Sequence, residues 1–378
     1  MTSRQRLLTC LRGEIPDCVP VMPDTSNMIP ARLTGKPFWD LYLYNDPPIW
    51  EAYIACAKHF DVDALMDGYC PLVFPEEVPD GPQWERAIVH RSDERIITQA
   101  SHVHRGRRQW AKTVDVYYVA DPPTRGVDPA KAGLPAEPQA WEPLEGVREV
   151  DRGPANLARA KRLMGDQGLV GVFAGAGTNA VGNIEGMWRY FDHPEDRKAW
   201  AHRRIEAVEA RFDRIMRMDE KPDFLCVGGS GTLIWQTPEI FREIALPAVK
   251  RAIDLATDAG FTTHVHSCGP ERELVRIMAE ETDLTVIDPL EPPPMGDCDL
   301  AELKRLYGDR IVLKGNLHTT NVMLRGTPET VAAASRRAID DAAEGGRFIL
   351  STGDQCGRDT PDENLRAMVE TARTYGRY

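Results

Sequence analysis

A chain of 378 residues with 42% hydrophobic content is long enough for two domains or for one large α/β barrel. Its formal net charge of −12 works against nucleic acid and against an anionic membrane surface, and leaves a small-molecule substrate or a protein partner. No segment approaches the roughly 18 apolar residues of a membrane span, and the start, Met1-Thr2-Ser3-Arg4-Gln5-Arg6, lacks the apolar run of a signal peptide. The eight cysteines have no framework spacing, so free thiols and a reducing cytoplasm are expected.

In chain order, residues 3–13 pattern as an amphipathic helix and 18–22 as a short buried strand. A helix at 47–60 leads to a strand at 62–66. Residues 84–120 carry three closely spaced strand-like runs at 87–89, 95–98 and 114–119, which predict an antiparallel excursion. Residues 121–145, rich in Pro and Gly, read as loop. From 154 the chain alternates regularly. Helices are expected at 154–164, 183–190, 194–218, 238–259, 270–280, 299–307, 327–344 and 361–374. Strands are expected at 169–174, 223–227, 262–266, 284–287, 310–314 and 347–351. Thr237-Pro238, Thr327-Pro328 and Thr360-Pro361 each offer a hydroxyl cap followed by a proline that needs no N–H, and Thr360 with Glu363 fits a capping box. Eight strands in βαβ alternation predict an α/β fold, a single distorted (β/α)8 barrel over residues 1–378 with the β excursion at about 84–120.

His264-Val265-His266-Ser267-Cys268-Gly269 ends one strand, and Cys356 follows another in Gly353-Asp354-Gln355-Cys356-Gly357. Residues two apart on a strand share a side, so His266 and Cys268 can converge on one ion. One imidazole and two thiolates suit zinc, and three protein ligands leave a position open, as in catalytic sites. The competing reading makes Cys268 and Cys356 small buried residues and His266 a satisfied core histidine. His264 lies one residue pair deeper, as a core residue or as a partner of the ligands.

Other polar residues follow strand ends, where barrel chemistry takes place. Glu291, Asn316 and His318 are candidates for catalysis, and Asp67, Tyr69, Asn179, Asn183 and Glu185 join them at the rim. Each also reads as a cap or a solvated loop residue. Gly175-Ala176-Gly177 lacks dinucleotide-binding spacing. Gly228 and Gly229 in Gly228-Gly229-Ser230-Gly231 can let a cofactor approach the backbone, or form a turn.

The opening Arg6-Leu7-Leu8-Thr9-Cys10-Leu11-Arg12-Gly13, the run Phe241-Arg242-Glu243-Ile244-Ala245-Leu246-Pro247, His266-Ser267-Cys268-Gly269 and the closing Ser351-Thr352-Gly353-Asp354-Gln355-Cys356 resemble the uroporphyrinogen decarboxylase superfamily. The resemblance covers nearly the whole chain and implies a distorted (β/α)8 barrel. His266, Cys268 and Cys356 match the branch of zinc-containing corrinoid-dependent methyltransferases. Residues 22–30 contain no arginine, unlike the propionate-binding segment of the decarboxylases. Gly228-Gly229-Ser230-Gly231 stands where many relatives carry acidic residues, which leaves the substrate open.

The resemblance implies zinc held by His266, Cys268 and Cys356, with His318, Asn316 and Glu291 completing the pocket and Gly228, Gly229 and Asn179 facing the cofactor. It implies methyl transfer between a small methylated substrate and the cobalamin of a separate corrinoid protein, because no Asp-x-His-x-x-Gly carrier motif is present. O-demethylation of a methoxylated aromatic is favoured by Phe38, Trp39, Tyr42, Tyr44 and Trp50, which can pack a ring or simply a core. The alternatives are a methylcobalamin:thiol methyltransferase, a metal-free decarboxylase and a zinc protein without turnover.

Overall fold

The computed structural model describes residues 1–78 and 81–378. Among the described residues there are twelve strands: β1 (Ala64–Met66), β2 (Glu85–Arg91), β3 (Arg95–His104), β4 (Arg107–Tyr118), β5 (Thr124–Val127), β6 (Glu142–Pro143), β7 (Gly168–Phe173), β8 (Phe224–Cys226), β9 (Thr262–His266), β10 (Val286–Asp288), β11 (Val312–Leu317) and β12 (Phe348–Thr352). They divide between two compact units. One comprises Met1–Ser26, Ala57–Leu72 and Arg152–Tyr378, and the other Asn27–Cys56 and Val73–Asp151.

The first unit holds a seven-stranded parallel sheet in the order β1-β7-β8-β9-β10-β11-β12. Helices of amphipathic pattern alternate with its strands. Residues of β8, β10 and β12 are buried without exception, as strands covered on both faces must be. The expected eighth strand, 18–22, does not form a ladder. Pro20 lies within it and Pro23 follows it, and neither has an N–H to donate. What remains is a parallel bridge, with Met22 N donating to Leu350 O at 2.9 Å and Leu350 N to Pro20 O at 2.9 Å. On the opposite side Asp63 N donates to Val21 O at 2.9 Å. Of the eight expected strands, seven pair in the parallel sheet and 18–22 is a bridged segment.

A buried carboxylate holds that segment. Asp63 accepts from Val21 N (2.8 Å), Arg6 (2.7 Å) and Arg373 (2.7 and 3.0 Å), tying the first helix, Ser3–Leu11, to the last, Asp362–Thr374. Thr237 and Thr327 cap their helices as expected, each accepting from the amide three residues on. Thr360 does not: the helix begins after Pro361 with no side-chain cap, and the Thr360 hydroxyl bonds the Cys356 thiol instead. The helix expected at 238–259 contains a π-helical turn, Phe241–Ala245, just before Pro247, whose ring clashes with the carbonyl four residues back. β10 and β11 run further than their apolar runs. Pairing of β11 with β12 extends to Leu317, so Asp288 and Lys314 lie inside the sheet.

The second unit carries the antiparallel sheet, in the order β5-β4-β3-β2-β6. The excursion therefore reaches Pro143 and takes in the stretch expected to be loop. Phe38 packs with Ala31, Leu41 and Ala52, while Trp39, Tyr42 and Tyr44 pack against Leu43, Ile88, Ile96 and Tyr117. Trp50 is buried. These aromatics are core residues of the second unit.

Asp223, at the entry to β8, joins that strand to β7 and the first helix. It accepts from Arg4 at 2.6 and 3.1 Å and from Val170 N at 2.9 Å, with Lys161 at 3.3 Å. Burial alone would raise its carboxyl, but these partners hold it below its ordinary value. Its contribution is therefore present above the unfolded carboxyl value of about 3.9 and is lost as pH falls towards the depressed folded value. Asp223→Ala should lower stability by roughly 1–3 kcal/mol at neutral pH, since the partnering cations are partly exposed. The gap to wild type should close as the pH of a urea titration drops below about 4.

Candidate metal centre

The parallel sheet collects its polar side chains at the C-terminal ends of its strands. β9 ends in His266, β10 in Asp288 and β8 in Cys226, and Asp67 and Asp354 follow β1 and β12 closely. The register sets Asp288 beside His266 and Cys226 beside His264.

Asp288 organises this end of the sheet. Its side chain is 2% exposed and forms an ion pair with the buried Lys314. Its Oδ1 lies 2.9 Å from His264 Nε2 and 3.2 Å from His266 Nδ1. Burial would raise this carboxyl, but Lys314, His264 and His266 hold it well below the usual range. An ionised carboxylate only accepts, so His266 carries hydrogen on Nδ1, and Nε2 is turned the other way. Asp354 Oδ1 is 3.7 Å from that Nε2. Burial lowers the His266 imidazole, while Asp288, Cys268 and Asp67 raise it further, so that it stands well above its ordinary value. A cation at Nε2 would take the place of the proton that these groups stabilise.

Two groups of donor atoms lie at this end of the sheet, each with all atoms within 4.8 Å of one another. One is Asp24, His266 and Asp354, and the other is Cys268, Glu291 and Asp354. Asp354 belongs to both. It takes a φ of 102°, a conformation a side-chain-bearing residue rarely adopts and one that clusters at functional sites. Asp24 is pushed up to about 6 by burial, against the pull of Lys314 and His266. The Cys268 sulfur lies 2.7 Å from Ser230 Oγ. Imidazole, thiol and carboxylates are the donors zinc takes, and the donor set fits that ion.

The other sequence candidates are placed as follows. Cys356 is fully buried and outside both donor groups. Burial, then Asp24, pushes its thiol up to about 12, and Thr352 and Thr360 hydrogen-bond it. Of the three expected ligands, His266 falls in one donor group, Cys268 in the other and Cys356 in neither. Glu291 is buried, accepts from the Gly269 amide and joins Cys268. Asn316 donates to Leu290 O at 3.0 Å. His318 caps the π-helical turn Thr319–Leu324, its Nδ1 accepting from Thr320 N and Asn321 N at 3.2 Å each. Asn179 accepts from Gly182 N at 2.9 Å within a turn, and Asn183 caps the helix Ile184–Asp192. A side chain at Gly228 would strike Val265, whereas Gly229 faces open space. Asp24, Asp288, Lys314, Asp354 and Ser230 were not singled out from sequence. The available signal was a carboxylate within a few residues of each strand end.

Fold and site together define a protein with a parallel α/β sheet and two groups of possible metal ligands at the C-terminal ends of its strands. Residues 227–375 match the family model described as uroporphyrinogen decarboxylase (URO-D). The chain is 29% identical over 170 residues to the methylcobamide:CoM methyltransferase MtbA of Methanosarcina mazei, covering 44% of each. It is 32% identical over 79 residues to the uroporphyrinogen decarboxylase of Azoarcus sp., covering 21% of this chain and 22% of that protein. The matched part is under half the length of these curated relatives. A methyltransferase from Methanosarcina mazei shares the fold over 99% of both chains, with a TM-score of 0.60 and 16% identity. The C-terminal part of the chain is thus similar to uroporphyrinogen decarboxylases and to methylcobamide:CoM methyltransferases.

Asp288→Asn should weaken retention of zinc about 10–100-fold by freeing the His266 ring. It should also cost about 3–5 kcal/mol of stability, because Lys314 would be left buried without its counter-charge. Chelator competition and denaturant unfolding measure the two effects separately.

Proposed function

We propose that the protein is a corrinoid-dependent methyltransferase with zinc at the C-terminal ends of its parallel strands. The observation that carries this is His266, held at Nδ1 beside Asp288, with Nε2 3.7 Å from Asp354, the carboxylate that also belongs to the group of Cys268 and Glu291. The relatives named as methylcobamide:CoM methyltransferases support the reaction class. His266 and Cys268 would hold the ion, with Asp354 or Cys356, two residues apart on one loop, as the third ligand. Bound there, zinc supplies a Lewis acid for the negative charge on the heteroatom that gains or loses methyl. Asp288 orients the imidazole, Lys314 balances Asp288, and Ser230 positions the Cys268 sulfur. Glu291 is placed to move a proton beside Cys268. We assign Asn316 and His318 to shaping the neighbouring loops, where their hydrogen bonds already lie.

The corrinoid would come on a separate protein. Ile184, Trp188 and Phe191 are exposed on one face of the helix Ile184–Asp192, and Ile234 and Trp235 are exposed after β8. Such an apolar surface suits a docking partner. Gly229, with open space around it, suits the approach of a large planar group, and Asn179 stands on the preceding βα loop. The sheet reads as a single barrel domain whose first strand is the bridged segment, with the antiparallel unit as its excursion.

For the substrate we place a thiol acceptor first, following the relatives' names. A methoxylated aromatic comes second, because the aromatics that favoured it are core residues of the second unit. The test is to mix the protein with methylcobalamin and a panel of thiols, and with cob(I)alamin and a panel of methyl ethers and methylamines, following the corrinoid spectrum. Turnover of one panel is expected. Spectra unchanged in every case, with release of carbon dioxide from a carboxylated substrate, would establish a decarboxylase instead. His266→Ala and Cys268→Ala should each reduce turnover at least about 1,000-fold by removing the Lewis acid. Cys356→Ala and Asp354→Asn, compared for zinc content, identify the third ligand.

A further inference from the structure

His264 stands one residue pair below His266 on β9 and is 1% exposed. Its Nε2 is engaged with Asp288 at 2.9 Å. Its Nδ1 is buried and, among the described residues, has no aligned hydrogen bond, although Asp67 Oδ2 lies 3.1 Å away. The Cys226 sulfur completes the surroundings. Asp67, Cys226 and His264 present their donor atoms within 4.8 Å of one another. The Gly68 amide bonds the Cys226 sulfur, and the Phe224 ring meets the imidazole edge-on at 6.1 Å.

An ion pair between His264 and Asp67 would account for two of these groups. It would leave the nitrogen's hydrogen out of line with its carboxylate and would not use the sulfur, whose bond comes from the Gly68 amide. A cation needs no such alignment along an N–H bond; it needs lone pairs converging on a point. Imidazole, thiolate and carboxylate are a borderline-soft set that excludes magnesium and calcium.

The geometry points to a second divalent-cation site at His264 Nδ1, Cys226 Sγ and Asp67, for zinc or an ion of similar chemistry, distinct from the donor group around His266. Asp288 serves both. Its Oδ1 meets Nε2 of His264 and Nδ1 of His266, so the two rings turn opposite nitrogens outward, one to each cluster. The inner ion would join β8 and β9 to the end of β1, which is separated from β8 by β7 and shares no ladder with it. It is a clamp across the sheet, in which three protein donors leave a fourth position for water. The inference rests on the inner residues alone and does not need the outer ion.

Full-length protein stripped of metal and titrated with Co2+ reports both clusters through sulfur-to-cobalt absorbance. About two ions per chain are expected, one for each three-donor cluster. Cys226→Ala should lose one ion and its share of the absorbance, while Cys268→Ala should lose the other. A single ion lost in Cys226→Ala but kept in Cys268→Ala would uphold the inner site and sink the outer one. Ion binding and absorbance unchanged by Cys226→Ala would overturn the inner site. If that variant does not fold, wild-type crystals soaked in zinc decide through anomalous scattering. A peak between His264 Nδ1, Cys226 and Asp67 supports the site, and its absence overturns it.

Discussion

One buried carboxylate, Asp288, sets the chemistry at this end of the sheet. Its charge is affordable only because Lys314 pairs with it and two imidazoles bond it. In return it decides which nitrogen of each histidine faces inward and which faces the donor groups. Remove the charge and His266 loses its orientation, Lys314 its partner and His264 its anchor. The position of Asp288 as the last residue of β10, level with His266 on β9, makes this possible.

A second carboxylate, Asp63, plays the matching part at the opposite side of the sheet's order. Pro20 and Pro23 prevent the first segment from pairing as a full strand. Asp63 substitutes side-chain hydrogen bonds for the missing ladder and draws Arg6 and Arg373 onto the same spot. The bridged segment is thereby held between β12 and the start of β1. That hold matters for the site, because Asp24 follows this segment and Asp354 follows β12. Asp24 N donates to Thr352 Oγ1 at 2.9 Å and Cys356 N to Asp24 O at 2.8 Å, which joins the two loops behind the donor groups.

The aromatic-rich stretch near residue 40 has two uses that composition does not separate. Phe38, Trp39, Tyr42, Tyr44 and Trp50 have the chemistry to stack on a methoxylated ring, and the same chemistry packs a core. Phe38 and Trp50 are buried, and Trp39, Tyr42 and Tyr44 are half-buried against Leu43, Ile88 and Ile96. What the strand ends present is imidazole, thiol and carboxylate, donors suited to an ion and not a cage for a ring.

From residues alone, the alternation of helix and strand after 154, the Thr-Pro caps at 237 and 327 and the span of β9 were legible. Each depends on contacts within a few residues, where periodicity and side-chain parity are decisive. The antiparallel run was legible in kind but not in extent, because β5 and β6 are strands only by pairing with β4 and β2. Tertiary structure alone decided that 18–22 is a bridge and that Thr360 bonds Cys356. It alone brought Asp24, Asp67, Asp288 and Asp354 to two histidines while leaving the Cys356 thiol outside the donor groups. These carboxylates are scattered along the chain, near the ends of different segments. Only the order and register of the strands bring them side by side, and neither is written in any local pattern of the sequence.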